Sequence, residues 1–447
     1  MRRLNVWMES SYIGAFDEDD DGVTFHYDDD APKGPISLSL PRGGGWVRKA
    51  PARFLENLLP DNPEVREMMR RSVGAPDTNP ISLLDGADAT GGLTFSTGDD
   101  NPLQTGGDGV RANDDAIAYR ISTMRNAPGA WWQSDSRTRF SLAGNQPKFS
   151  LARVGTHWTW SNAANPSTHI LKPAPLGDEG DRMRSTRDAD RIEAVSMKLA
   201  GLCGLEVPHS GLADFKGEPA YIVRRFDRFR RPDGTIGRLH TEDMMQALGL
   251  PPENKYGVKA KQVLRLLHGA DPTDELSYGW IRQLALNVSI SNADAHAKNY
   301  SLALRPDGVA LTPMYDVLTT TYWPKVDRTL PMSIGGANGA AQITPHHWER
   351  LAKDNGLDPD RIVDIARRTA GLVLANAEQA YEGLPADMRD VLLSELDRAN
   401  GRVEPIFPDG HGKAGPKPMP HNGMIHVVAH DRNGYPVTDY WRRKPSR

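Results

Sequence analysis

Four polar side chains with the chemistry needed for phosphoryl transfer are crowded into one short stretch, SNADAHAKNYSL, at residues 291–302. Asp294 lies five residues before Asn299. At this spacing, the carboxylate of a phosphoryl-transfer loop meets the acceptor hydroxyl and the amide oxygen holds Mg²⁺. His296 and Lys298 lie between them and would support the loop or the γ-phosphate. Taken alone, the stretch also fits a polar helix end with a solvated histidine and lysine.

A second carboxylate, which could complete a metal site for bound phosphates, follows downstream in the chain. One ligand cannot hold an ion that bridges phosphates, so a further acidic residue is expected on a strand or turn downstream. The segment LTPMYDVL supplies Asp316 after an apolar lead-in. Asn299 and Asp316 are therefore the predicted Mg²⁺ ligands, and Asp294 is the predicted base.

The elements that must position this loop lie upstream. Residues 140–143 and 148–153 read as two strands around a Gly-Asn turn, where Gly144 and Asn145 could offer N–H groups to an anion and Lys148 a positive charge. The next predicted strand, THILKP, carries Lys172, and a helix over residues 190–202 could turn Glu193 inward to orient it. A plain hairpin and solvated Lys and Glu side chains remain the alternatives for these elements.

Composition limits the class of protein. The 447 residues include 38% apolar and 25% charged residues, which is typical of a globular protein of two to four structural units. A net charge of −4 and a pI near 6.4 give no global case for binding nucleic acid or an anionic membrane. Cys203 is the only cysteine, which excludes an intrachain disulfide, and the first residues form neither a signal peptide nor a spanning helix. We therefore expect a cytoplasmic protein.

The order of patterns along the chain predicts four regions. Residues 1–110 begin with short strands and two amphipathic helices, and residues 111–237 carry the predicted phosphate loop and the strand of PAYIVRRFDRF. Residues 238–401 are dominated by helical spacing. Residues 402–423 form a Pro/Gly linker, and a hairpin turning at Asn433 and Gly434 follows, in the region 402–447.

Six segments in this order, FSLAGNQPKFSLA, THILKP, VRRFDRF, EDMMQALGL, NADAHAKNYSL and LTPMYDV, together with FLENLLPDN near the start, resemble the HipA family of toxin kinases. The resemblance spans roughly residues 1–400. It implies an α+β fold, with a two-lobed protein-kinase-like body, an extra N-terminal α/β subdomain and an all-helical C-terminal lobe. It also implies a serine/threonine protein kinase that uses ATP and Mg²⁺.

Residue roles carried over from the family agree with those read from spacing. Asp294 matches the catalytic base, Asn299 and Asp316 the metal pair, and Lys172 the lysine that contacts ATP phosphates. The family implies further that Arg225 and Phe226 meet adenine through the hinge backbone, and that residues 143–148, with Gly144, Asn145, Gln146 and Lys148, form the phosphate loop. Ser141 matches a regulatory autophosphorylation site, and its phosphorylation is expected to expel that loop.

The resemblance also implies partners. Such kinases are usually the toxin of a bacterial type II toxin–antitoxin pair, in which a helix-turn-helix antitoxin, HipB, binds both the toxin and operator DNA. Known substrates include aminoacyl-tRNA synthetases, whose phosphorylation halts translation and promotes persistence.

Two other functions compete with this one. A small-molecule phosphotransferase of the aminoglycoside or choline kinase type also carries D-x-H-x-x-N, but it does not share FSLAGNQPKFSL or the N-terminal extension. A catalytically idle partner-binding or DNA-tethering module is the other alternative, and retention of Asp294, Asn299 and Asp316 argues against it.

Overall fold

The structure is a computed structural model that describes residues 1–105, 109–127, 140–144, 146–175 and 187–408, and the backbone of four strands between residues 424 and 443. Among these residues, no helix combines the length and apolar character needed to span a membrane. Asn145 lies outside the described residues.

The N-terminal region folds as a small antiparallel sheet covered by helices. Its strands lie in the order β3-β2-β1-β4, and they are β1 (Arg2–Met8), β2 (Ser11–Asp19), β3 (Gly22–Tyr27) and β4 (Leu93–Ser96). The helices between β3 and β4 in the chain are α1 (Ala50–Asn57), α2 (Pro63–Val73) and α3 (Pro80–Leu84). The Asn62 side chain accepts the Glu64 N–H and Pro63 occupies the first turn of α2, so this helix begins with a side-chain cap.

A second, six-stranded antiparallel sheet carries the predicted lysine. Its order is β5-β7-β6-β8-β10-β9, with β5 (Arg111–Ala112), β6 (Phe149–Val154), β7 (His157–Trp160), β8 (His169–Lys172), β9 (Ser210–Phe215) and β10 (Glu218–Arg224). Helices α4 (Pro102–Thr105), α5 (Asp114–Asn126) and α6 (Ala189–Leu202) accompany it. Strand β8 lies between β6 and β10, so Lys172 extends from the interior of the sheet.

The predicted hairpin of residues 140–143 with 148–153 is wrong in its first arm. Phe140 forms a parallel bridge with Asp88, and Gly144 forms one with Pro60, so this arm pairs with the N-terminal region. Only β6 joins the sheet. Local alternation could not reveal this, because the pairing partners lie about 50 to 80 residues away in the chain.

The region after residue 238 contains the predicted helices, but the expectation of an all-helical lobe is wrong. The helices are α7 (Met244–Ala247), α8 (Ala260–Ala270), α9 (Glu275–Ser289), α10 (Pro345–Asp354), α11 (Pro359–Ala380) and α12 (Ala386–Asn400). Two short strands, β11 (Arg228–Arg230) and β12 (Ile236–Arg238), precede this region. The strands within it are β13 (Thr241–Asp243), β14 (Ser301–Arg305), β15 (Gly308–Leu311), β16 (Thr329–Ile334) and β17 (Ala337–Gly339). Strand β14 pairs with both β13 and β15, and β14 begins at Ser301, at the end of the Asp294 loop.

The last strands form two pairs. They are β18 (Met424–Val427), β19 (His430–Arg432), β20 (Tyr435–Val437) and β21 (Tyr440–Arg443), and β18 pairs with β21 while β19 pairs with β20. Arg432 pairs with Tyr435, so the hairpin predicted around residues 433–434 is confirmed.

Three apolar clusters form the core. One joins the first sheet to the second, since Leu4 and Phe54 belong to the same cluster as Phe149 and Leu171. Another packs α8 and α9 around Trp280, and the third joins α6 to α11 and α12. The N-terminal region is therefore continuous with the body of the protein, which places it against the site described next.

Candidate active site

One cleft between the second sheet and the region after residue 238 collects the predicted site residues. Of those that the structure describes, all but Ser141 line it: Gly144, Gln146, Lys148, Lys172, Arg225, Phe226, Asp294, His296, Lys298, Asn299 and Asp316. These residues come from several segments that are spread over residues 144–316 of the chain. Their convergence is a property of the fold and not of any single motif.

Lys172 lies between two carboxylates, of which Glu193 is buried and Asp316 is partly exposed. Its ammonium is 2.7 Å from the Glu193 carboxylate of α6 and also forms an ion pair with Asp316. Burial alone would lower the pKa of Lys172, but the carboxylates of Asp316 and Glu193 hold it above its ordinary value. Burial raises the pKa of Glu193 to about 7, although Lys172 acts in the opposite direction. Glu193 therefore turns inward to Lys172, as the helix pattern suggested.

The carboxyl group of Asp316 is kept ionised by neighbouring lysines. Burial would raise the pKa of its carboxyl, but Lys172 and Lys148 offset this and hold it below its usual range. Its backbone lies in the left-handed region with φ of 53°, which is rare for residues that have a Cβ atom. Strained residues of this kind concentrate at functional sites.

The Asp294 loop presents its carboxylate to the cleft. The Asp294 side chain is 51% exposed, and its carboxylate accepts a hydrogen bond from the Tyr256 hydroxyl. The Asn299 amide nitrogen donates to the Asp294 backbone carbonyl at 2.8 Å, and this leaves the Asn299 amide oxygen available to a ligand. The base and the amide are therefore fixed relative to each other by the turn that joins them.

Between them, His296 and Lys298 are buried. His296 packs edge-on against Tyr256, and burial lowers its pKa to about 4, so the imidazole is neutral at physiological pH. Lys298 points to the N-terminal region, where its ammonium donates to the Asn57 carbonyl at 3.1 Å and contacts Asp61 at 3.3 Å. The assignment of both residues to catalysis stays a prediction.

The phosphate loop is docked inward. The Lys148 ammonium donates to the Ala143 carbonyl at 2.7 Å, and burial lowers its pKa to about 8. Gly144 has φ of 102°, and a Cβ atom there would lie 2.9 Å from the Lys148 nitrogen, so both conformation and space favour glycine. Ser141 is fully buried beside the loop, where its hydroxyl donates to the Leu58 carbonyl at 2.6 Å.

At the hinge, the structure refines the expected adenine contacts. The Arg225 backbone N–H donates to the Thr168 carbonyl at 2.9 Å, so it is not free for a ligand. The Arg225 guanidinium is buried against Asp227 at 2.7 Å. Phe226 stacks on Tyr315 with ring centroids 5.4 Å apart, forming an aromatic wall of the cleft. A hinge contact at Arg225 would therefore come from its carbonyl oxygen.

The residues present suit Mg²⁺. This ion prefers oxygen ligands, and it is usually held by one or two carboxylates together with substrate phosphates. Asp316 supplies an ionised carboxylate and Asn299 an amide oxygen in the same cleft. Within the described residues, no group of three or more His, Cys, Asp or Glu forms a metal cage, so phosphate oxygens would have to complete the coordination.

Several residues of the cleft were not identified from the sequence. Tyr256, Tyr315 and Asp243 belong to this set. Asp61 was not identified either; it does not line the cleft, but it contacts Lys255 and Lys298, which do. Asp61 lies in the segment LLPDN, which reads locally as a turn, and Tyr256 lies 38 residues before Asp294. Tyr315 alone carried a local signal, since it directly precedes Asp316.

The chain is similar in sequence to known proteins of one family. Family models of the HipA N-terminal domain and the HipA-like C-terminal domain match residues 4–96 and 140–377. A Sinorhizobium fredii protein that is named as a kinase, Y4mE, is 31% identical over 85% of this chain and 91% of its own length. The serine/threonine-protein kinase toxin HipA of Shewanella oneidensis is 27% identical over 88% of this chain and 94% of its own.

A solved structure shares the fold. The complex of Shewanella oneidensis HipA with HipB and operator DNA contains a chain that superposes with a TM-score of 0.76 at 24% identity. The match covers 90% of the present chain and 98% of the other.

Proposed function

Because the chain belongs to the HipA family, we propose that it is an ATP-dependent serine/threonine protein kinase with a two-lobed kinase-like body. The observation that carries this proposal is the position of Lys172, which lies between Glu193 and Asp316 in the cleft that also holds Asp294 and Asn299. A lysine oriented by a helix glutamate and facing a metal-binding aspartate is the arrangement that phosphoryl transfer requires of a kinase.

Each residue has a part in the proposed reaction. Asp316 and Asn299 would hold Mg²⁺, which when bound neutralises charge on the β- and γ-phosphates. Lys172 adds a positive charge to the phosphates, and the phosphate loop places backbone N–H groups and Lys148 beside them. Asp294 accepts the proton of the acceptor hydroxyl as its oxygen forms a bond to the γ-phosphorus and the bond to ADP breaks. The products are a phosphorylated Ser or Thr and ADP.

We propose that Ser141 is a regulatory autophosphorylation site. A phosphate would add about −1.5 to −2 charges to a side chain that is now fully buried. The Ser141 hydroxyl donates to the Leu58 carbonyl oxygen, which would repel a phosphate placed there. Phosphorylation would therefore expel the loop and inactivate the enzyme.

The partners are proposed from the family. The Shewanella oneidensis complex contains HipB and operator DNA, and we propose that this chain is likewise the toxin of a pair with a HipB-like antitoxin that mediates contact with DNA. The proposed substrate class is a translation component such as an aminoacyl-tRNA synthetase. Copurification of a small helix-turn-helix protein encoded beside this chain would support the pairing.

Labelling with γ-³²P-ATP in bacterial lysate tests the activity. Wild type and Asp294→Asn are compared, with Asp307→Asn as a matched control because Asp307 lies on an exposed turn after the same loop. We expect a labelled protein band with wild type and the control that is lost in Asp294→Asn. Identical patterns, or transfer to small alcohols and not to protein, would contradict the proposal.

A further inference from the structure

The segment at the end of α1 contacts both loops of the proposed active site, the predicted phosphate loop and the Asp294 loop. Residues 57–61, with the sequence NLLPD, form this segment. The Leu58 carbonyl accepts the Ser141 hydroxyl and Pro60 bridges Gly144, so the segment holds the phosphate loop. The same segment reaches the Asp294 loop through Asp61. Nothing in the kinase chemistry described above requires a carboxylate at this place.

Asp61 binds two buried ammonium groups. Its carboxylate lies 2.8 Å from the Lys255 nitrogen and 3.3 Å from the Lys298 nitrogen. The lysine side chains are only 8% and 4% exposed, and that of Asp61 is 13% exposed. Burial would raise the pKa of the Asp61 carboxyl, but the two lysines lower it below its usual value. One anion therefore compensates two cations that come from different parts of the chain.

Both lysines are adjacent in the chain to residues of the proposed reaction site. Lys298 precedes Asn299, and its carbonyl accepts the Tyr315 hydroxyl at 2.8 Å. Lys255 precedes Tyr256, whose hydroxyl binds the Asp294 carboxylate. The Lys255 carbonyl also accepts the Ala297 N–H at 3.3 Å, inside the loop. Asp61 thus joins the two chain segments that hold the Asp294 loop on either side.

Asp243 is a second carboxylate near Lys298 in the described part of the chain, but it is committed to another contact. Asp243 feels the charge of Lys298, but burial raises its pKa to about 6. One oxygen of Asp243 already accepts the backbone N–H groups of Met245 and Gln246 at the start of α7. Neutralising Asp61 would therefore leave two buried like charges without their shared anion, and their repulsion would push the two segments apart.

We infer that Asp61 is a positioning residue for phosphoryl transfer, through which the N-terminal region fixes the Asp294 loop. The expected change in transfer rate rests on the proposed kinase function. The expected change in the Asp294 loop rests only on the contacts of Asp61. It predicts that loss of the Asp61 charge lowers the rate of transfer and loosens residues 294–302. The ATP contacts proposed for Lys172 and the phosphate loop should remain.

The test compares Asp61→Asn and Asp61→Glu with the wild type in the full chain. Asp77→Asn is the matched control, because Asp77 is a carboxylate of the same region that pairs with Arg2 at 2.7 Å. Transfer rates, dissociation constants for a non-hydrolysable ATP analogue and hydrogen exchange of residues 294–302 are measured. For Asp61→Asn we expect kcat to fall about 10- to 100-fold, because a displacement of about 1 Å can cost about 100-fold. Exchange in the loop should accelerate about 10-fold.

Binding of the ATP analogue should stay within about threefold of wild type, because a positioning group acts on the transition state more than on the ground state. Asp61→Glu keeps the charge and should lie between wild type and Asp61→Asn in both kcat and exchange. If Asp61→Asn does not fold, Asp61→Glu decides: a kcat below that of wild type together with faster exchange of residues 294–302 supports the inference, and wild-type values of both overturn it.

Wild-type kcat and wild-type exchange in a folded Asp61→Asn would overturn the inference, and so would equal changes in Asp77→Asn. Failure of the proposed function has a different signature. In that case the wild type shows no Asp294-dependent transfer, whereas accelerated exchange of residues 294–302 in Asp61→Asn would still support the positioning role.

Discussion

Ser141 is the position at which one added charge should have the largest effect on the cleft. Its side chain is fully buried, and its hydroxyl donates to the Leu58 carbonyl at 2.6 Å. Its backbone N–H donates to the Asp88 carbonyl at 3.0 Å. In Ser141→Asp, a carboxylate would replace the donor and face the carbonyl oxygen, so that two acceptors would meet in a buried place.

The magnitude follows from these contacts. Leaving the Leu58 carbonyl without its donor costs about 1–3 kcal/mol, and an unpaired buried carboxylate adds several kcal/mol. A combined cost of at least about 3 kcal/mol would shift the loop from docked to undocked by more than about 100-fold. Because Gly144 and Lys148 follow in the same loop, we expect the transfer rate to fall by a similar factor.

The assay is the initial rate of phosphoryl transfer by Ser141→Asp, with Ser141→Ala as its matched control. The alanine variant loses the hydrogen bond but buries no charge, so its rate should fall clearly less than that of Ser141→Asp. The intact mass of wild type after incubation with ATP reports whether Ser141 itself is modified. Full activity of Ser141→Asp would refute the reasoning, because it would show that the docked loop is not needed.

Three further predictions concern buried carboxylates. In Glu193→Gln, Lys172 loses a charged partner at 2.7 Å, so kcat/KM for ATP should fall about 10- to 100-fold; an unchanged kcat/KM would contradict the orienting role. Asp88 is fully buried and lies 2.9 Å from Arg228, so Asp88→Asn should lower the free energy of unfolding by about 3–5 kcal/mol in urea titrations. A loss near zero would show that the pair is not stabilising. Burial raises the pKa of Glu242 from its ordinary 4.5 to about 8, so the folded state keeps a proton that the unfolded chain releases. The free energy of unfolding therefore falls as the pH rises from about 4.5 to about 8. Glu242→Gln should flatten this slope in thermal melts at several pH values, and an identical slope would refute the assignment.

The chemistry of the cleft could be predicted from the sequence where it is carried by short spacings. Asp294, Asn299 and Asp316 lie in two brief segments, and the predicted role of Lys172 depended on its order ahead of them on an apolar strand. The position of Glu193 on α6 allowed either an inward or a solvated side chain, and the structure has it inward, 2.7 Å from Lys172. These residues do meet in one cleft.

Other features depended on pairing between distant segments. Residues 140–143 alternate like a strand, yet their partners are Asp88 and Pro60, which no local pattern identifies. The expectation of a purely helical region failed because β14 and β15 form a short hairpin with polar and apolar residues mixed. Such short strands are stabilised by their pairing more than by propensity.

Buried charges were the least predictable part of the site. Arg225 was expected to meet adenine through the hinge backbone, and the structure adds that its guanidinium binds Asp227 and Ser167 in the interior. Lys298 was expected to support the loop or the γ-phosphate, and its ammonium binds the end of α1. A long cationic side chain can reach in several directions, and only the positions of distant carboxylates decide which direction it takes.

The transfer rate of Asp294→Asn tests the central claim most directly. Purified wild type, Asp294→Asn and the control Asp307→Asn are compared in γ-³²P-ATP, Mg²⁺ and bacterial lysate, and ATP binding is measured in parallel. We predict a loss of about 10²- to 10⁴-fold in rate for Asp294→Asn, which is the usual contribution of a positioned base, with ATP binding retained. Equal rates in Asp294→Asn and Asp307→Asn would contradict the account.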